Sequence, residues 1–99
     1  MVVEYIRYTI DAARRRDFEA AYERARAALE ASEHCLGYEL TRATADPGAY
    51  VVRIEWDSIE GHITGFRQSP EFRTFFEAIG PYVHDIAEMR DYELVGQPT

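Results

Sequence analysis

The feature that most constrains the fold is a pair of alternating segments joined by a turn. Leu36 to Ala43 sets Leu36, Tyr38 and Leu40 against Gly37, Glu39 and Thr41, and Tyr50 to Trp56 sets Tyr50, Val52, Ile54 and Trp56 against Val51, Arg53 and Glu55. Successive side chains of a strand point to opposite faces, so this period of two marks half-buried strands. Asp46-Pro47-Gly48 between them supplies the residue types that tight turns require. The two segments form an antiparallel hairpin, and its apolar row needs a cover.

The flanking sequence supplies that cover. From Phe18 to about Ser32, the residues Phe18, Ala21, Tyr22, Ala25, Ala28 and Leu29 make one helical stripe, with Glu and Arg opposite. Asp17 is the predicted N-cap of this helix, and Arg14-Arg15-Arg16 before it reads as a solvated loop, or else as a place to hold an anionic group. Upstream, Val2 to Ile10 is a strand with faces Val2, Glu4, Ile6, Tyr8, Ile10 and Val3, Tyr5, Arg7, Thr9. Asp57 or Ser58 opens a further helix, Asp57 and Glu60 having the spacing of a capping box. Ser69-Pro70-Glu71 opens another, with proline at the first helical position and Phe72, Phe75, Phe76 and Ile79 on one stripe. Gly80-Pro81 ends it, and a last strand is predicted over about Asp85 to Val95.

The order β-α-β-β-α-β predicts an α+β, ferredoxin-like fold, a four-stranded antiparallel sheet with helices on one face, as a single domain over residues 1–99. Leu36, Tyr38, Leu40, Val52, Ile54 and Trp56 are expected beneath the helices. The opposite face carries Arg7, Glu39, Arg53 and Glu55, which either meet solvent or pair with a second copy of the chain.

Composition narrows the function. The net charge of −7 makes nucleic acid and anionic membrane surfaces poor partners, so neither is expected. All eleven basic residues are arginine, so the chain has no lysine for a Schiff base, a pyridoxal cofactor or a phosphate loop. The single Cys35 excludes an internal disulfide, and no apolar run approaches a membrane span; a cytoplasmic protein is expected. His34, His84 and Cys35 show no metal-ligand spacing, and no metal site is expected.

Three stretches resemble the antibiotic biosynthesis monooxygenase family of dimeric α+β barrels: His34-Cys35-Leu36-Gly37-Tyr38-Glu39-Leu40, Ile54-Glu55-Trp56, and Phe66-Arg67-Gln68-Ser69-Pro70-Glu71-Phe72. The resemblance implies a homodimer whose sheets face each other, with a pocket between each sheet and its own helices. It implies a cofactor-independent monooxygenase acting with O2 on a phenolic, polyketide or quinol-like small molecule. It leaves open a haem-binding or haem-degrading protein, and a non-catalytic dimeric module that binds a small aromatic molecule. The histidine of many relatives falls at Phe66 here, with His62 one turn earlier. The chain has no asparagine, which departs from the haem-degrading pattern.

His62 lies three residues after Ile59 and four before Phe66, on the inward stripe of its helix. It is the candidate general base; an iron ligand and a satisfied core histidine are the other readings. Trp56 is the candidate hydrogen-bond donor to a developing oxyanion, or else an apolar plug. Phe66, Tyr8, Tyr38 and Phe72 are expected to line the substrate pocket, and the phenylalanines either leave it open or pack it shut. Arg67 stands about 140° around an ideal helix from His62 and is expected to point away, toward solvent or a dimer contact.

Overall fold

The computed structural model describes residues 1–98. Its elements are β1 (Val2–Thr9), α1 (Arg15–Ala31), β2 (Cys35–Arg42), β3 (Ala49–Trp56), a π-helical segment (Gly61–Phe66), α2 (Pro70–Ile79) and β4 (Ile86–Glu93). Short 3-10 turns at Ala12–Arg14 and Gly80–Asp85 precede α1 and β4. The strands form one antiparallel sheet in the order β2-β3-β1-β4 with the helices on one face, the ferredoxin-like arrangement that the periodicities predict.

Register decides what the helices cover. β1 sets Val2, Glu4, Ile6 and Tyr8 opposite Trp56, Ile54, Val52 and Tyr50 of β3, so the inward rows of both strands coincide. α1 lays Phe18, Ala21, Tyr22, Ala25, Ala28 and Leu29 on that row. Three alanines let the helix approach closely, and Phe18 meets the rings of Tyr8 and Tyr50 at 4.8 Å each and Tyr82 at 5.1 Å. A fully buried phenylalanine of this kind stabilises the fold by about 1.5–3 kcal/mol.

Four local expectations are corrected. Between β2 and β3 the pairing passes from Cys35↔Trp56 to Gly37↔Glu55, a bulge that leaves Leu36 unopposed. Leu36 therefore turns outward and is 56% exposed, while Cys35 packs against the core in its place. Asp17 does not cap α1, which begins two residues earlier; it sits in the first turn, where its charge meets the positive end of the helix. The arginine run is not a free loop. Arg14 donates two 2.8 Å bonds to Asp85 and stands 5.9 Å from the Tyr82 ring, and Arg15 Nε donates to the Ile10 carbonyl. These contacts fasten the start of α1 to the turn before β4. Finally, no capping box forms after β3: Ser58 Oγ accepts the Gly61 amide at 2.9 Å, and Asp57 pairs instead with His34 Nδ1 at 2.9 Å.

The expected cap at Ser69 forms, its Oγ accepting the Phe72 amide with Pro70 in the first turn. At the β2–β3 turn, a Cβ on Gly48 would lie 2.8 Å from the Ile10 carbonyl oxygen, so this close approach requires glycine.

Candidate active site

The segment after β3 winds more loosely than an α-helix. The Arg67 amide donates to the His62 carbonyl at 3.0 Å, five residues back. This corrects the expectation for Arg67, because an ideal α-helix would carry it away from His62, whereas the π turn brings it onto the same side. Arg67 lines the mouth of the pocket, 3.9 Å from Met89 Sδ and 5.9 Å from the Phe72 ring. Gly61 and Gly65 let the segment press against His34; a Cβ on Gly61 would lie 2.9 Å from His34 Nδ1.

Between this segment, α2 and the inner sheet face lies a cavity of about 240 Å³. Tyr8, Trp56, His62, Phe66 and Phe72 line it, with Phe76, Val83 and Met89 partly exposed at its rim. The phenylalanines narrow this space without closing it. A dry cavity of about 150 Å³ holds benzene, so the volume suits one aromatic ring with substituents, or two compact rings. Tyr38 is not among the lining residues. It sits on β2, the edge strand farthest from β4, and faces a separate groove with Tyr22 and Arg26.

At the floor of the cavity lies a polar cluster that no sequence spacing announces. β1 and β4 pair Glu4 directly with Asp91, two carboxylates on adjacent strands. Like charges so placed repel, and here His62 is inserted between them. Its Nδ1 lies 3.2 Å from Asp91 Oδ2 in hydrogen-bonding geometry, and 3.0 Å from Oδ1. On the other edge of the ring, Nε2 lies 3.3 Å from Glu4 Oε1. The imidazole stacks on Trp56 with planes 7° apart and centroids 4.7 Å apart. Trp56 donates its indole N–H to Glu4 Oε1 at 3.1 Å, so this N–H serves a protein carboxyl rather than standing free for an oxyanion.

Burial governs the charges. Glu4 and His62 are 3% and 2% exposed. Desolvation pushes the Glu4 carboxyl up to about 7; the Trp56 hydrogen bond opposes this, Asp91 adds to it and Arg67 opposes it. Desolvation likewise lowers His62 below its ordinary value, with Asp91 pulling the other way. Near neutral pH His62 is thus held in its neutral form, while Glu4 is divided between its protonated and ionised forms. Tyr8, hydrogen-bonded to Tyr22 at 2.7 Å, is pushed up to about 12 by burial and stays protonated.

The donor atoms of Glu4, His62 and Asp91 lie within 4.8 Å of one another. A cation would need them to converge on one point, whereas the two carboxylates approach different nitrogens of the ring. The arrangement fits a chain along which a proton is passed. A haem iron fits it poorly, because each ring nitrogen already faces a carboxylate and one ring face is covered by tryptophan.

A ferredoxin-like sheet with an aromatic cavity under its helices defines the class: a small α+β subunit. The family model of antibiotic biosynthesis monooxygenases matches residues 1–78, and the chain belongs to that family. Among solved structures it is similar to a candidate antibiotic biosynthesis monooxygenase from Bordetella bronchiseptica, with 26% identity, a TM-score of 0.78, and 95% of this chain and 96% of that one covered. It shares its fold with SnoaB from Streptomyces nogalater, a cofactor-independent oxygenase, at 16% identity and a TM-score of 0.81, covering 97% and 94% of the two chains. It does so too with Rv0793 from Mycobacterium tuberculosis, at 14% identity and a TM-score of 0.78, covering 99% and 98%. No curated protein matches the sequence. No helix among the described residues is long and apolar enough to cross a membrane.

Proposed function

We propose that this member of the family is a cofactor-independent monooxygenase acting on a one- or two-ring phenol or quinol-like molecule with dioxygen. The observation that carries this reading is the buried base cluster at the floor of an aromatic cavity, His62 held flat on Trp56 between two carboxylates.

The chemistry suits a phenol conjugated to a CH2 group. The cluster removes one proton, and the resulting anion passes an electron to O2. The radical pair combines to a peroxide, which takes the proton back and loses water, leaving a carbonyl. Dioxygen accepts four electrons, one of its atoms ending in the product and the other in water. The aromatic walls exclude bulk water from the anion, which sharpens every electrostatic contact inside. Tyr8, Phe66 and Phe72 would hold the ring. In this reading His62 is a base by virtue of its place in the cluster, and neither haem nor a metal takes part. A second copy covers the bare sheet face, since the helices lie on the other side; size-exclusion chromatography with light scattering tests the homodimer.

Oxygen consumption decides the main reading. Purified protein is mixed with one- and two-ring phenols bearing an activated CH2, and with hydroquinones. Uptake that falls at least tenfold in His62→Ala supports the proposal, and absence of uptake across the panel refutes it. Small-molecule binding without oxygen uptake would make the chain a binding module.

A further inference from the structure

We infer that Glu4, not His62, is the group that exchanges a proton with the bound phenol, and that His62 passes that proton on to Asp91. The inference rests on the phenol-oxygenase reading for its substrate, and names the residue that meets it.

Three observations carry it. Each nitrogen of His62 already has a carboxylate oxygen within 3.3 Å, so a ligand would have to displace one to reach the imidazole. Glu4 also lines the cavity, and both of its contacts, from Trp56 Nε1 and with His62 Nε2, fall on Oε1. Among the described residues no hydrogen bond reaches Oε2, which leaves that oxygen for a ligand hydroxyl. Lastly, Asp91 Oδ1 is buried without a hydrogen bond while the Asp91 side chain as a whole remains 24% exposed. Asp91 is therefore a landing place for a proton leaving His62 Nδ1, and it is the most exposed member of the cluster.

The transfer balances simply. The phenol O–H bond breaks, its proton joins ionised Glu4 and the electron pair stays on the phenolate oxygen. The proton then moves from Glu4 to His62 Nε2 as Nδ1 gives its own to Asp91. Charged and titratable groups facing this path are Glu4 and Tyr8 on β1, Asp91 on β4, and His62 and Arg67 on and just after the π segment. Arg67, at the mouth, offsets the phenolate charge.

The test reads the ionisation of a bound probe and needs no turnover. 4-Cyanophenol absorbs differently as phenol and phenolate, and free in neutral solution it is mostly protonated. Binding to the wild type is expected to raise its phenolate fraction at neutral pH. Glu4→Gln, which is isosteric, should bring the bound fraction back to that of the free probe, while His62→Gln should keep the excess. Should Glu4→Gln not fold, the wild-type pH profile answers alone: the excess should follow one ionisation near pH 7, that of Glu4, and not one below the ordinary histidine value. No excess in the wild type, or an excess that survives Glu4→Gln and vanishes in His62→Gln, overturns the inference. A Glu4-dependent excess with no oxygen uptake from any phenol defeats the oxygenase reading and leaves this one standing. Oxygen uptake that changes less than twofold in Glu4→Gln defeats this one alone.

Discussion

Replacing Glu4 by glutamine should make the protein less sensitive to alkali, and the size of the effect follows from the site. Folding carries the Glu4 carboxyl from an ordinary value of 4.5 to about 7, because the folded chain removes it from water. The folded state thus holds a proton that the unfolded state releases first. The stabilisation from this group is fully present below pH 4.5, declines as the pH rises, and is gone above about pH 7. At about 1.36 kcal/mol per pH unit, the interval from 4.5 to about 7 corresponds to about 3 kcal/mol. Glutamine cannot ionise, and it keeps an oxygen for the Trp56 N–H. Urea unfolding, followed by the fluorescence of the single buried Trp56 at fixed protein concentration, measures both proteins at pH 4.5 and pH 8. Wild type should lose about 3 kcal/mol more than Glu4→Gln between those two conditions. His62 acts in the opposite sense, its lowered value costing stability as the pH falls below 6.5; because its Nε2 lies 3.3 Å from Glu4 Oε1, the same comparison is made in a His62→Gln background, where only the carboxyl titrates differently. Equal losses in the two proteins would show that Glu4 ionises freely and that its burial at the cavity floor is wrong.

Three further outcomes test the packing. Leu36→Ala should change stability by no more than about 0.5 kcal/mol, whereas Leu29→Ala, at a fully buried site, should cost about 2–5 kcal/mol; equal losses in thermal or urea unfolding would contradict the bulge. Gly65→Ala drives a methyl into the His34 ring and should cost about 1–3 kcal/mol, and His34→Ala in the same chain should recover most of it. Tyr8→Phe leaves the buried Tyr22 hydroxyl without its 2.7 Å partner and should lower stability by about 1–3 kcal/mol by the same assay.

The contrast between Leu36 and Glu4 shows where the sequence was legible. Alternation and helical stripes placed every inward residue of β3 and the whole buried stripe of α1, because those positions follow from a period that the backbone imposes. Periodicity fails where the backbone departs from its period. The bulge at Leu36 reversed a face, and the π turn brought Arg67 to the cavity mouth instead of carrying it away. Neither departure is marked by residues that demand it; the glycines Gly61 and Gly65 reveal their purpose only when His34 is seen against them. The polar cluster is a different case. Its three members lie at positions 4, 62 and 91, a spacing no motif contains, and only the pairing of β1 with β4 joins the carboxylates. Yet one signal was present. Glu4 occupies the inward row of β1 between Val2 and Ile6, and an acid on a core-facing row costs several kcal/mol unless it is neutral or partnered. With Trp56 and His62 already assigned to the same interior, that one misplaced charge marks where the buried polar cluster sits.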